Sequence, residues 1–152
     1  MAGLYAHYEA DLVADVLMAE GFTVRIRSVH HPKMRALTQH QLRKYRSYLN
    51  STAPIPHAIE EQMEIERAEC AIEGWSGEGA VDREGQPMPF TPENVRQVLG
   101  DPKMVHFRKD VLLASTSITA FQRQELAELG KASSLSSGPT SSGPTAGTPP
   151  AA

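Results

Sequence analysis

The side chains in this sequence that could ligate a metal ion are six histidines and one cysteine, Cys70. Two of the histidines, His30 and His31, are adjacent. Adjacent residues do not place both rings on one ion, as two histidines four residues apart on a helix would. The sequence also lacks the CxxC and HExxH patterns of zinc sites. We therefore expect no metal and no other cofactor.

The nucleophiles and carboxylates do not form a recognisable catalytic set either. Cys70 lies on the apolar part of a predicted helix, where a packing role is the default, although a Cys–His pair stays open because both residue types are present. The GxSxG, P-loop and GxGxxG patterns are absent. The glutamates of Glu60–Glu73 are numerous and solvated rather than an isolated acid–base pair. These observations predict a protein that is not an enzyme.

Charge is segregated along the chain. The segment from Phe22 to His57 has seven basic and no acidic residues, and Glu60–Glu73 has six glutamates against Arg67. The basic segment is either a nucleic-acid surface or one of two antiparallel helices with complementary charges. It has no aromatic stacking platform and no helix-turn-helix or zinc-finger pattern, so we favour complementary helices and do not expect nucleic acid as a partner.

The composition indicates one folded domain in a reducing compartment. A chain of 152 residues has the size of a single domain, and its one cysteine rules out an internal disulfide. The net charge of −3 gives no general attraction to nucleic acid or anionic membranes. No apolar run approaches the roughly 20 residues of a membrane helix, and the first residues do not show a basic segment followed by an apolar one, so we expect no signal peptide.

The two ends of the chain differ from the middle. Residues 132–152 have no charged side chain and repeat SSGPT in tandem, which predicts a disordered Ser/Gly/Pro/Thr-rich tail. Residues 1–131 are predicted to form a single α-rich domain. Within its first part, 1–21, apolar residues at i, i+4 spacings predict a helix over Leu4–Glu20, with an extended segment as the alternative.

The middle of the chain predicts an α+β fold that is mostly helical. Strict alternation predicts a half-buried strand around 22–29. The turn chemistry of Asp82–Gly85 makes the Trp75–Phe90 region its predicted antiparallel partner, with a strand around 79–90. Apolar stripes and cap residues predict the helices. They are a helix that begins at Pro32 and is broken at Asn50–Pro56, followed by Ala58–Glu73, Pro92–Leu99, Lys103–Ala114 and Ala120–Leu129.

The stretch "GWSGEGAVDREGQPMPFTPENVRQVLG" links two of these helices and contains the only tryptophan, Trp75. Trp75 is expected to anchor the loop as a large apolar side chain. Phe90 is expected to pack before the next helix, with Thr91 as its N-cap and Pro92 at its first position. A well-made helix–loop–helix connection is the structural alternative to a binding role.

The order of short motifs resembles the small tail assembly chaperones of long-tailed bacteriophages. The motifs are "FTVRIRSV", "HPKMRAL", "IEGWSG", "VDREGQPMPFTPEN" and "ITAFQRQELAELGKAS", and the resemblance covers roughly Phe22–Ser133. It implies a protein that binds the tape measure protein while the tail tube assembles. It further implies action in the host cytoplasm, absence from the mature virion, and tail tube protein binding by a longer frameshifted form. Self-association stays open.

Two other functions compete with this one: a tail-completion or head–tail connector subunit of the virion, and a small nucleic-acid-binding regulator. Methionines along the chain provide either adaptable contact surface for a partner or core filling. The residues that we single out as structural or partner-binding are Trp75, Phe90, Thr91, Met63, Phe107 and Phe121.

Overall fold

The computed structural model describes residues 3–117 and 119–122. Asp11–Phe121 form one compact unit, and the five-residue helix α1 (Leu4–Tyr8) belongs to a separate unit. Among the residues that the structure describes, no helix is long and apolar enough to cross a membrane. The architecture is α+β and mostly helical, as predicted.

Three antiparallel strands form the sheet, in the order β1 (Val13–Ala19), β2 (Phe22–Arg27) and β3 (Ile72–Ser76). The predicted alternation of β2 is confirmed, since Val24 and Ile26 are fully buried and Arg25 between them is exposed. The two buried side chains lie on the face of the sheet that the helices cover. The opposite face of β2 carries polar and charged side chains.

The predicted helix over Leu4–Glu20 is wrong. Only α1 is helical there, and Val13–Ala19 is strand β1, which pairs with β2. The apolar positions fit both the helical and the strand period. In the strand, Val16 and Met18 point to the core, whereas Leu17 points outwards and is 70% exposed. Pairing with β2 decides between the two periods, and a chain segment viewed alone does not contain that information.

The partner strand, predicted around 79–90 within the Trp75–Phe90 region, lies earlier in the chain and overlaps that region only at Trp75 and Ser76. The second neighbour of β2 is β3, which directly follows a helix and pairs Trp75 with Val24. The segment 79–90 contributes only one isolated antiparallel bridge, between Val81 and Pro87. Its prolines lack the N–H that a ladder needs, so the segment cannot form a regular strand.

The helices largely follow their predicted starts. Pro32 begins α2, and the hydroxyl of Thr91, which precedes α5, accepts the main-chain N–H of Asn94. The predicted helix Ala58–Glu73 is shorter, because its last residues belong to β3. The bounds are α2 (Pro32–Lys44), α3 (Arg46–Leu49), α4 (His57–Ala71), α5 (Pro92–Gly100) and α6 (Val105–Thr116), with 3-10 turns at Pro102–Met104 and Thr119–Phe121.

The core lies between the sheet and the helices. Ala68 and Ala71 of α4 and Val111 of α6 are fully buried with Leu99 of α5 against the residues of β2. The predicted helix Ala120–Leu129 is described only in its first turn, and its remainder lies outside the described residues. The predicted tail, 132–152, also lies outside the described residues.

Candidate functional site

Four aromatic rings form a chain at one end of the sheet. The centroid of Phe22 lies 6.0 Å from that of Trp75 and 6.0 Å from that of Phe107. Trp75 meets Phe90 edge-on, at 5.3 Å. Such tilted and edge-to-face pairs stabilise beyond the area that they bury. The cluster therefore joins the sheet, helix α6 and the segment before α5.

A surface groove lies beside these rings. Its central cavity has a volume of about 370 Å³ and is open to solvent. Three methionines line it together with three of the rings: Met18, Met88, Met104, Phe22, Trp75 and Phe107. The lining is therefore both flexible and apolar, which suits contact with a partner whose exact shape is not fixed. We call this surface the methionine groove.

Two smaller hollows share lining residues with the central cavity of the methionine groove. One, of about 200 Å³, shares Met88 and Met104 with the central cavity and reaches Gln97. The other, of about 340 Å³, shares Met18 and reaches Leu17 and Leu113. The shared residues place both hollows next to the central cavity. Together they offer a larger apolar surface than the central cavity alone, which suits the binding of an extended or helical segment.

Helix α6 presents one face to the groove. Phe107, Asp110, Leu113 and Ala114 recur at spacings of three and four and line the central cavity or the adjoining hollow. Leu113 is 69% exposed although it is a large apolar residue in a helix. An exposed apolar side chain of this size beside an apolar cavity is typical of a docking surface.

The loop after β3 lines part of the groove, and its backbone closely approaches the β1–β2 turn. Gly77 has φ 105°, and a Cβ at this position would collide with the main-chain carbonyl of Gly21 in the β1–β2 turn. The N–H of Gly79 donates to the same carbonyl, at 2.7 Å. Only glycine permits this conformation and this approach together. Gly77 and Gly79 therefore allow the backbone of the loop after β3 to lie against the β1–β2 turn.

The charges at the groove are mostly negative. Glu20 and Asp110 line the central cavity, and no described lysine or arginine does. In the smaller hollow, Asp101 is paired with Arg83 at 2.6 Å. A hydrogen bond from the main chain of Lys103, and then one from Arg83, lower the pKa of Asp101. The rim is thus acidic around an apolar floor.

The structure brings three of the predicted residues, Trp75, Phe90 and Phe107, into the ring cluster. Thr91 acts as the α5 cap, and Phe121 is buried in the core. Met63 instead lines a separate cavity of about 460 Å³ with Met34 and Leu49.

The residue that sequence reasoning missed is Phe22, the ring that links Trp75 to Phe107. Its strand alternation predicted which face it occupies, but nothing local predicted which rings it meets there. The methionines of the groove were predicted only as contact surface or core. Their gathering at one site depends on the fold.

The basic segment is partly neutralised inside the fold. Arg25 and Arg27 pair with Glu73, and Lys44 pairs with Glu66 at 2.8 Å. Burial alone would raise the pKa of Glu66, but hydrogen bonds, first from Lys44, outweigh it and lower the pKa to about 2. This pairing supports the interpretation of complementary helix faces, although Arg35 and Arg43 make no ion pair within the described part of the chain.

The other chemistry-bearing groups form no obvious reaction site. No group of three or more histidines, cysteines or carboxylates among the described residues could hold a metal ion. The Cys70 thiol contacts the carbonyl oxygen of Lys33 at 3.5 Å. Burial raises the pKa of this thiol, which disfavours the reactive thiolate.

A protein-family model described as YdaY prophage protein matches residues 29–132. The match covers α2 to the end of the described residues and includes Trp75, Met88 and Met104, but it omits β1 and β2. No curated protein matches the chain. No solved structure matches it either.

Proposed function

Because the chain belongs to the YdaY prophage protein family, and is therefore a phage-associated protein, we propose that it is a tail assembly chaperone. In this proposal, the methionine groove binds a helical, apolar-striped segment of the tape measure protein. The chaperone catalyses no reaction, needs no ATP or metal, acts in the host cytoplasm and leaves before the virion is complete. The tail tube protein is a second partner of this proposal.

The observation that carries the proposal is the methionine groove itself. Its floor combines three methionines with Phe22, Trp75 and Phe107. Helix-in-groove binding uses the apolar stripe of a helix against such a surface, and methionines adapt to several sequences in turn. A tape measure protein offers many helical segments in succession, so its chaperone benefits from an adaptable site.

The order of the motifs supports the choice of tail assembly over other phage roles. The resemblance to tail assembly chaperones extends from the "FTVRIRSV" strand to the "ITAFQRQELAELGKAS" segment. Two of its motifs, "IEGWSG" and "VDREGQPMPFTPEN", contain Trp75, Met88 and Phe90, which contribute to the groove or its ring cluster.

Co-expression with the tape measure protein of the same prophage tests the proposal. We expect the long protein to become soluble and to co-purify with this chain without added nucleotide or metal. If it stays insoluble while this chain retains nucleic acid at moderate salt, the proposal is wrong and the basic segment is the functional surface.

A further inference from the structure

Two carboxylates border the apolar floor of the methionine groove. Glu20 follows β1, Asp110 lies on α6, and both are exposed. Neither has an ion-pair partner among the described residues. By contrast, the helix α4 carboxylates that face other elements are paired, as in Glu64–Arg108 and Glu66–Lys44. The two rim carboxylates are thus solvated and accessible to a charged group of a partner.

Among the described residues, no cation is paired with these two carboxylates. In the same part of the chain, neither the central cavity nor the hollow that shares Asp110 has a lysine or arginine in its lining. Arg83, which lines the other hollow, is paired with Asp101. Any segment that covers the apolar floor therefore meets a negative potential at its edges.

The charge of the rim discriminates between otherwise similar helices. A helix with acidic residues beside its apolar stripe would bring like charges together as the groove loses water. Lysine or arginine would instead lay an aliphatic stem on the methionines and carry its charge to the rim. The charge repulsion and the aliphatic contact therefore both favour lysine or arginine beside the apolar stripe.

We propose that the groove selects a basic amphipathic helix, in which lysine or arginine flanks the apolar stripe and faces Glu20 and Asp110. This inference rests on the proposed function in one respect, namely that the groove binds a helix. It adds the class of segment that is bound and assigns the selection to two residues.

Three synthetic helical peptides without tryptophan test the inference. They share one leucine- and methionine-rich stripe and differ only in flanks of lysine, glutamine or glutamate. Trp75, the only tryptophan of the chain, lines the groove and reports binding by its fluorescence. At low salt we expect the lysine peptide to bind about tenfold more tightly than the glutamate peptide, with a smaller difference at high salt.

A double variant separates the rim from the general charge of the protein. Glu20→Gln with Asp110→Asn should remove the preference for lysine while the glutamine peptide binds as before. Glu60→Gln with Glu93→Gln removes the same charge from exposed positions outside the groove and should keep the preference.

Each remaining outcome overturns a defined part of the account. Equal binding of the lysine and glutamate peptides, or a preference that survives in the Glu20/Asp110 variant, contradicts the selection by the rim but leaves helix binding intact. If none of the three peptides binds, the groove is not a helix site, and both this inference and the proposed function are wrong.

Discussion

The indole N–H of Trp75 donates a hydrogen bond to the main-chain carbonyl of Met88, at 2.8 Å. This bond ties strand β3 to the returning limb of the loop, thirteen residues further along the chain. It fixes Met88 at the edge of the methionine groove and places the indole ring in its wall. Trp75 is therefore a loop anchor and a lining residue together.

Two substitutions at Trp75 separate the ring from the hydrogen bond. Trp75→Phe keeps an aromatic ring but loses the donor, and should lower the free energy of unfolding by about 1 kcal/mol. Trp75→Ala also removes the ring contacts and should cost about 2–4 kcal/mol, because the side chain is half-buried. Urea unfolding followed by circular dichroism measures both. An alanine variant as stable as the wild type would contradict the anchoring role.

The two loop glycines at positive φ provide a matched pair. Gly77→Ala should disrupt the loop, because its Cβ would meet the Gly21 carbonyl, and should reduce partner binding. Gly85, at φ 79°, has open space where a Cβ would lie, so Gly85→Ala should cost only about 1 kcal/mol and leave binding unchanged. Thermal unfolding and a binding assay on both variants check this difference. Equal effects would show that the approach to Gly21 does not shape the groove.

Glu66 should make stability depend on acid pH. Its folded pKa is lowered from the ordinary value of 4.5 to about 2, so its contribution is complete above 4.5 and is lost as the pH falls toward 2. Glu66→Gln should cost about 1–2 kcal/mol at pH 7, with solvent screening allowed for, and much less at about pH 2.5. Urea unfolding at both pH values measures the effect. Glu60→Gln is the control, and the prediction fails if Glu66→Gln costs as much in acid as at neutral pH.

Particles from the induced prophage distinguish a chaperone from a virion subunit. We expect mass spectrometry to find this protein in lysates during assembly and not in purified particles. A fixed number of copies per particle would support the alternative of a tail-completion or connector subunit.

Local sequence patterns correctly predicted the helices and strands that are determined by interactions between neighbouring residues. The alternation in "FTVRIR" predicted β2, and the cap residues before Pro92 predicted the start of α5. These signals depend on residues within one turn of helix or a few strand positions. Elements whose sequence satisfied only one period were therefore predicted with the correct type.

The elements that the sequence did not predict depend on contacts between distant segments of the chain. Val16 and its apolar neighbours fit a helix as well as a strand until β2 is present as a partner. β3 is short, follows a helix directly and pairs with β2 across a long stretch of chain, with Gly74 opposite Arg25. The groove needs both pairings, so the sequence predicted adaptable methionines but could not predict their common site.

The central claim, that the methionine groove binds the tape measure protein, is tested most directly by two leucine substitutions. Leu113 lines the hollow that shares Met18 and Asp110 with the methionine groove and is 69% exposed, whereas Leu42 lies on α2, lines neither cavity, and is 50% exposed. Neither change to glutamate should unfold the domain, because both side chains already face solvent. The measurement is the dissociation constant of each purified variant for a soluble helical fragment of the tape measure protein. We predict that Leu113→Glu weakens binding at least about tenfold while Leu42→Glu binds like the wild type. Equal binding by the two variants, or a loss confined to Leu42→Glu, would contradict the account.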